Sequence, residues 1–191
     1  MINLFTGAER GFLGNNIKKN INGITLDYGN ILDKKIINCD RLYHFASPSD
    51  DFDFLNNKNT INTIVNGTLN MVDIINENRG KIIFASSIGV ESPNNLYRQC
   101  KLLMEKYIQD NCNNWIILRI PRIYDKSRKK GLMKKLRLNL VPEKDMNNQI
   151  EYLPLNDFIK QTLEVVNQRN IIYNYKNLKC ETIANIKKLY T

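Results

Sequence analysis

Short apolar segments alternate with amphipathic segments along the first 120 residues of the chain. Strands buried on both faces, as in a parallel sheet, are predicted from apolar runs at residues 2–6, 24–27, 41–46, 81–85 and 115–120. Helices are predicted from the 3.6-residue spacing of apolar positions over residues 12–20, 60–76 and 96–109. Alternating strands and helices with short connections predict an α/β fold with right-handed crossovers.

The pattern changes after Pro121. Seven of the twelve residues from 126 to 137 are basic, and a polar loop follows them. The remaining elements are predicted as a helix over residues 156–167, a strand over 170–173 and a helix over 181–189. This tail is too small to fold alone. We therefore expect a core over residues 1–125 and a small C-terminal region over 126–191 packed on the same domain.

The composition is that of a soluble protein. Of the 191 residues, 42% are hydrophobic and 25% charged, which is typical of a soluble globular protein. No apolar run approaches the roughly 18 residues that a membrane span requires. The N-terminus is a short apolar strand that runs into Gly7, without the basic head and longer apolar stretch of a signal peptide. We expect a cytoplasmic protein with no membrane partner.

The charge and the cysteines of the chain limit which ligands and metals are expected. The net charge of +9 favours anionic ligands, but the basic segment lacks the interleaved aromatic residues of a nucleic-acid site, with only Tyr124 nearby. A solvated face explains that segment most simply, and nucleic acid is not expected as a partner. Scattered cysteines without a C-x-x-C pair, and a single histidine, predict reduced thiols and no zinc site.

A glycine-rich segment follows the first predicted strand and opens the first helix. It runs from Thr6 to Gly14 and places glycines at positions 7, 11 and 14. Glycines in this context let the backbone approach a pyrophosphate, which the helix N-terminus then attracts. Asp27 is the last residue of the second predicted strand, where a carboxylate would accept hydrogen bonds from an adenosine ribose. A purely structural strand–turn–helix is the alternative.

A second group of residues lies at the end of the strand at 81–85. Tyr97 and Lys101 are four residues apart and share one helix face, where a lysine ammonium would lower the pKa of the phenol. Such a pair is by itself common on helix surfaces. Ser87 follows the strand ten residues upstream, and ligands bind at the carboxyl ends of strands in open α/β sheets.

These residues occur in an order that resembles the extended short-chain dehydrogenase/reductases, a family of nucleotide-sugar epimerases, dehydratases and reductases. The motifs that carry the resemblance are the Thr6–Gly14 loop, His44-Phe45-Ala46-Ser47, Asn66-Gly67-Thr68, Phe84-Ala85-Ser86-Ser87, Tyr97 with Lys101, Leu118-Arg119-Ile120-Pro121 and Tyr152-Leu153-Pro154. The resemblance implies a Rossmann-like, doubly wound parallel sheet with a reduced C-terminal substrate region.

The resemblance also implies roles. Tyr97 would exchange the proton at the reacting oxygen, Lys101 would hold the nicotinamide ribose and tune Tyr97, and Ser87 would hydrogen-bond the substrate oxygen. Arg122 would contact the substrate diphosphate, to which the basic segment is an additional candidate. His44 falls inside a strand motif and is expected to be structural. The resemblance places the cofactor along Gly7, Arg10, Gly11, Phe12, Leu13, Asp27, Ala46, Ser47, Ala85, Tyr97, Lys101 and Pro121.

Departures from the family pattern narrow the reaction. Ile88 and Gly89 follow Ser87, in place of the Asp-Glu pair of family dehydratases or the Cys of the fucose-type epimerase-reductases. This leaves reduction of a nucleotide-linked keto-sugar of the 4-keto-6-deoxy or acetamido type, with 4-epimerisation as the alternative. Only fifteen residues separate Asp27 from Tyr43, so an edge strand is expected to be missing. The truncations keep open a non-catalytic NAD(P)-binding regulatory module.

The choice of cofactor is divided. Asp27 favours NAD because a carboxylate repels a 2′-phosphate, whereas Arg10, beside Gly11, favours NADP, with Arg41 as a possible helper. We expect a slight preference for NADP(H) over NAD(H). The helices predicted over 60–76 and 96–109 match the pair through which the family dimerises, so the resemblance implies a homodimer with a four-helix bundle.

Overall fold

The computed structural model describes residues 1–26, 31–32, 37–47 and 59–190, apart from the side chains of residues 59 and 60. The strands of its main sheet are β1 (Asn3–Thr6), β2 (Ile24–Leu26), β3 (Arg41–His44), β4 (Lys81–Ser87), β5 (Trp115–Ile120) and β8 (Ile171–Asn174). The helices that pack on this sheet are α1 (Phe12–Lys18), α2 (Asn59–Glu77), α3 (Leu96–Asn111) and α5 (Leu155–Val165).

The main sheet is parallel throughout and has the order β2-β1-β3-β4-β5-β8. The chain passes from β1 outward to β2 and then returns to the other side of β1 to form β3. The strand order therefore reverses between β1 and β3, which is the switch point where open α/β sheets bind ligands. Among the described residues, no strand pairs with the outer side of β2.

Helices cover both faces of the sheet, which explains why its strands are apolar without alternation. One core cluster joins α2 and α3 to the strand residues Leu4, Leu42, Ile82, Phe84 and Ile117. The other joins α1 and α5 to the neighbouring strand positions Phe5, Tyr43, Ile83, Ile116 and Leu118. Full burial of each such side chain contributes about 1.5–3 kcal/mol. The doubly wound α/β fold predicted from the sequence is confirmed.

A smaller sheet lies beyond the carboxyl end of β5. Its strands are β6 (Ile123–Tyr124), β7 (Gln149–Pro154) and β9 (Lys179–Thr182), with β7 parallel to β6 and antiparallel to β9. Helices α4 (Gly131–Arg137) and α6 (Ile183–Tyr190) pack beside it around Met133, Leu136, Tyr152 and Ile186. The chain enters this unit after β5, returns to the main sheet for α5 and β8, and then re-enters it for β9.

The predicted strands and helices up to residue 120 are present, with bounds that differ by a few residues. The prediction missed β6, β7, β9 and α4, because each is short and forms only against the others. Beyond residue 125, β8 joins the main sheet and α5 packs on it, whereas β7, β9, α4 and α6 form the smaller unit. No helix within the described ranges is long and apolar enough to span a bilayer.

Candidate functional site

A cavity of 580 Å³ lies at the carboxyl edge of the main sheet, between that edge and the small sheet. Its volume is in the range of small-molecule and cofactor sites. Its walls come from the segments after β1, β3, β4 and β5 and from the C-terminal region. The predicted site residues that line it are Gly7, Gly11, Phe12, Leu13, Ser47, Ala85, Ser87, Tyr97, Pro121 and Arg122.

The glycine-rich loop packs directly on the end of β3. Gly7 has a φ of +69°, and a Cβ there would lie 2.6 Å from the backbone nitrogen of Ala46 and from the carbonyl carbon of Phe45. Only glycine avoids both the strained backbone and this clash. Gly11 is the N-cap of α1 and makes no side-chain cap, so the first turn of α1 keeps its N–H groups beside the cavity. This cradle fits the pyrophosphate of a dinucleotide.

Ser87 and Tyr97 reach the cavity from opposite ends of one connection. Ser87 ends β4, and its hydroxyl accepts a hydrogen bond from the backbone N–H of Gly89 at 3.2 Å. Tyr97 lies in the first turn of α3, where the Asn95 side chain caps the helix by accepting from the N–H of Arg98 at 3.0 Å. The cap fixes the start of α3, so a hydroxyl and a phenol lie in the walls of the same cavity.

Lys101 does not line the cavity. Its side chain is 2% exposed, its Nζ donates to the carbonyl oxygen of Ala85 at 2.7 Å, and its ammonium lies 4.6 Å from the ring centroid of Phe84. Burial lowers the pKa of Lys101 to about 7, although the Glu105 carboxylate acts in the opposite direction. The structure therefore places Lys101 behind the wall formed by β4 and not in the cavity lining.

His44 is buried in a chain of hydrogen bonds. Thr68 donates its hydroxyl proton to the carbonyl oxygen of Ile64 at 2.5 Å, so its oxygen accepts from Nε2–H of His44 at 3.0 Å. The other ring nitrogen, Nδ1, then accepts from the Thr6 hydroxyl at 2.6 Å, and that hydroxyl accepts from the Ala46 N–H at 3.3 Å. Burial lowers the pKa of His44 to about 3, and the Lys101 charge adds to this effect. His44 is a structural residue.

A buried ion pair supports the segment that carries Ser87. The Glu105 side chain is fully buried, and the Arg119 guanidinium donates to it from Nη2 at 2.8 Å and from Nε at 3.2 Å. Ser86 donates a short hydrogen bond to the same carboxylate. Arg119 also lies 3.5 Å from Glu91, in the 3-10 turn Ile88–Glu91 that follows Ser87. The network thus connects α3, β4 and β5 to that turn.

Basic side chains from α3, from the segment after β5 and from the C-terminal region give the cavity a cationic wall. Arg98, Arg122, Arg128 and Lys130 line it, opposed among the described lining residues by the single carboxylate of Glu151. The sequence marked the basic segment but did not show which of its members face the cavity. Arg98, one position after Tyr97, was missed although the start of α3 was identified. Leu178 also lines the cavity and carries no sequence signal.

The arginines proposed to select the cofactor do not line the cavity. Arg10 is exposed and does not line the cavity, and Asp27 lies outside the described residues. Ala46 is buried under the glycine loop rather than lining the cavity. Arg41 begins β3, at the edge opposite the cavity, and donates to the Asn167 side chain at 3.0 Å. Arg41 therefore lies away from the cavity.

The cysteines are free thiols placed apart from the cavity lining. Cys39, Cys100 and Cys112 are buried, and Cys180 is exposed. Burial raises the pKa of the Cys39 and Cys112 thiols to about 11. Within the described part of the chain, no group of histidines, cysteines and carboxylates has an arrangement that would hold a metal ion.

The sequence matches no protein-family model and no curated protein. Its structure is similar to that of Thermus thermophilus UDP-glucose 4-epimerase in complex with NAD, with a TM-score of 0.79 at 16% identity over 98% of this chain and 81% of the other. The dTDP-4-dehydrorhamnose reductase of Bacillus anthracis in complex with NADP gives 0.80 at 15% identity over 100% and 80%. Helicobacter pylori ADP-L-glycero-D-manno-heptose-6-epimerase gives 0.75 at 20% identity over 97% and 79%. The chain therefore has the fold of these epimerases and reductases.

Proposed function

We propose that the protein is an NAD(P)H-dependent reductase of a nucleotide-linked keto-sugar, of the 4-keto-6-deoxy or acetamido type. The observation that carries this proposal is the common cavity: the glycine loop, Ser87 and Tyr97 all lie in its walls. Two of the similar solved structures are complexes with NAD and NADP of enzymes named for nucleotide sugars, which supports both the cofactor class and the substrate class.

The residues around the cavity suit carbonyl reduction. A bound nicotinamide cofactor would supply the hydride. Ser87 would donate a hydrogen bond to the carbonyl oxygen of the substrate, and Tyr97 would give that oxygen its proton. The guanidinium groups of Arg98 and Arg122 would hold the substrate diphosphate, because guanidinium matches phosphate oxygens in pairs. Lys101, buried behind Ala85, would act on Tyr97 through its charge and by fixing the end of β4.

The position of Lys101 favours a second candidate, a non-catalytic NAD(P)-binding module. Lys101 does not line the cavity, so it is not placed to contact a nicotinamide ribose there directly. This module would bind the dinucleotide and turn over no ketone. The third candidate, a nucleotide-sugar 4-epimerase, is supported by the epimerases among the similar structures.

The test begins with titrations of the protein with NADPH and NADH, followed by nicotinamide fluorescence and calorimetry. We expect binding of both, with a small preference for NADPH, which Arg10→Ala would remove. Binding of neither would contradict the reductase and the module together. A panel of nucleotide-linked 4-keto-sugars then separates them, because only the reductase consumes NADPH. Interconversion of UDP-sugars without net consumption of NADPH would indicate the epimerase.

Tyr97→Phe tests the catalytic assignment. We expect turnover to fall by about 100-fold or more, as for loss of a general acid, while cofactor affinity changes little. Tyr107→Phe is the matched control. It also removes one phenolic hydroxyl from α3, but Tyr107 does not line the cavity. Retained turnover in Tyr97→Phe would contradict the role of Tyr97.

We also propose a homodimer formed by α2 and α3. These two helices pack side by side, and their outer surface exposes Ile61, Leu96 and Leu103, whose exposed fractions are 42%, 47% and 56%. A second copy of the pair would cover these side chains in a four-helix bundle. Sedimentation equilibrium of the wild type and of Leu103→Glu measures this: a dimer is expected for the wild type and a monomer for the variant.

A further inference from the structure

We propose that Arg128, from the C-terminal region, is a binding residue for the diphosphate of the dinucleotide cofactor. This inference rests on the proposed function, because it assigns a residue to the cofactor of that same cavity. One member of the basic segment would then bind the cofactor, and would be neither part of a solvated face nor a contact of the substrate.

Arg128 lies next to the start of α1. Its Cζ lies 5.6 Å from the ring centroid of Phe12, the first residue of α1, and both side chains line the cavity. The N-terminal turn of α1 follows directly from the cradle of Gly7 and Gly11. A guanidinium stacked on Phe12 therefore stands beside the backbone groups that would face a pyrophosphate.

Hydrogen bonds to the surrounding backbone hold Arg128 in place. Its Nη1 donates to the carbonyl oxygen of Ile123 at 2.5 Å, and Arg137 donates to the carbonyl oxygen of Arg128 itself at 2.6 Å. The loop before it is fixed as well, since the N–H of Ser127 donates to the Asp125 carboxylate at 2.8 Å. An arginine ordered before the ligand arrives loses little side-chain entropy on binding.

A third, independent observation comes from Tyr124. Its side chain is 4% exposed and lines the cavity, yet its hydroxyl has no hydrogen-bond partner among the described residues. A buried hydroxyl of this kind calls for an acceptor or donor from a ligand. Arg122 and Arg128 are close enough to oppose, through their charges, the rise that burial causes in the Tyr124 pKa. An anion at this wall would lie beside Arg128 and close to the Tyr124 hydroxyl.

A diphosphate at this wall has two possible sources, the cofactor and the nucleotide-linked substrate. Arg98 lies in α3 beside Tyr97, and its guanidinium donates a hydrogen bond to the Asn94 side chain at 3.0 Å. Arg128 instead stacks on Phe12, next to the glycine loop. This contact favours the cofactor diphosphate as the ligand of Arg128.

The experiment uses the full chain and two probes. ADP-ribose carries the cofactor diphosphate without nicotinamide, and UDP carries that of a substrate. Calorimetry on the wild type, Arg128→Gln and Lys129→Gln measures both affinities. Lys129→Gln is the matched control, because Lys129 is exposed, carries the same charge and does not line the cavity. We expect Arg128→Gln to weaken ADP-ribose binding by about 10- to 100-fold, as for a charge-assisted hydrogen bond, and Lys129→Gln by less than about twofold.

Two further variants separate binding from folding. Arg128→Lys keeps the charge and should retain part of the affinity, so it carries the test if Arg128→Gln does not fold. Tyr124→Phe removes an unpaired buried hydroxyl, so it should raise the thermal midpoint and still weaken ADP-ribose by about two- to tenfold. A structural role alone would not produce this opposition.

The outcomes distinguish the inference from the proposed function. Unchanged ADP-ribose affinity in a folded Arg128→Gln, with the wild type binding normally, overturns the inference and leaves the reductase in place. A loss confined to UDP overturns the assignment to the cofactor. A wild type that binds neither ADP-ribose nor NADPH or NADH overturns the proposed function and, with it, the role of Arg128.

Discussion

The stability of the fold should depend on the protonation of one histidine. His44 is the single histidine of the chain and is held as the neutral Nε2–H tautomer between the hydroxyls of Thr6 and Thr68. Its pKa falls from 6.5 to about 3 on folding because the ring is buried. Between these two values the unfolded chain binds a proton that the folded protein does not, so stability decreases as the pH falls below 6.5.

The size of the effect follows from linkage. Each pH unit in this window removes about 1.4 kcal/mol from the free energy of unfolding. Relative to pH 8, the loss that is due to His44 is about 2 kcal/mol at pH 5. Lys101 contributes a smaller loss of stability near neutral pH. Its pKa is lowered to about 7 in the folded protein, so the folded protein takes up a proton as the pH falls through 7, whereas the lysine of the unfolded chain is protonated throughout. Above pH 7 the unfolded chain therefore binds the additional proton, and stability decreases as the pH falls toward 7.

The assay is urea unfolding at pH 5, 6, 7 and 8 for the wild type and His44→Gln. Glutamine offers the two threonines a donor and an acceptor and does not titrate, so it removes the His44 contribution and retains that of Lys101. We expect the wild type to lose about 2 kcal/mol more than the variant between pH 8 and pH 5.

Two results would refute this reasoning. The first is an identical pH dependence in the wild type and His44→Gln. The second is an imidazole resonance of the native protein that titrates near pH 6.5, which NMR would assign without ambiguity to the single histidine. Either result would mean that the ring is protonated in the fold, so that burial does not hold it neutral.

Two other predictions concern the supports of the site. Glu105→Gln should lower the free energy of unfolding by about 1.5–3 kcal/mol, because it removes the fully buried carboxylate that accepts hydrogen bonds from Arg119 and Ser86. Glu91→Gln, whose carboxylate is half exposed, should cost no more than about 1 kcal/mol. Denaturant titrations measure both losses, and equal losses would contradict the ranking. Gly7→Ala should destabilise the fold and abolish dinucleotide binding, while Gly131→Ala, with a φ of +60° and nothing within 4 Å of its Cβ, should cost only about 1–3 kcal/mol of backbone strain. Thermal unfolding and NADPH titration test this pair, and equal effects would show that the contact of Gly7 with β3 is unimportant.

Much of the main sheet could be predicted because each of its central strands is a short, continuous apolar segment in the sequence. The run at Lys81–Ser87 is buried on both faces, and burial of that kind leaves a continuous apolar segment. The glycine loop was equally readable, since the positive φ of Gly7 and its contact with β3 exclude other residues. The same cues placed Ser87 and Tyr97 at one edge.

The rest of the candidate site could not be predicted, because it depends on how deeply each side chain is buried and on contacts between residues far apart in sequence. The i, i+4 spacing shows that Tyr97 and Lys101 share a face of α3, but one helical turn separates a residue at the cavity from a residue under β4. Likewise, nothing in the segment around Arg128 indicates a partner as distant in sequence as Phe12. The small sheet was missed because the two residues of β6 become a strand only beside β7.

Because the chain passes back and forth between the two sheets, cleavage of a single peptide bond between them would not by itself separate the two sheets. The exposed turn at residues 139–142 divides the molecule into an N-terminal piece with β5 and β6 and a C-terminal piece with β7 and β8. Each sheet takes strands from both pieces, since β8 pairs with β5 and β7 pairs with β6. A single proteolytic cut at this turn would therefore leave two fragments that hold each other by their backbone ladders, and neither fragment contains a complete sheet with which to fold alone. The protein is in this sense a natural candidate for fragment complementation, with the cavity reassembled only when both halves meet.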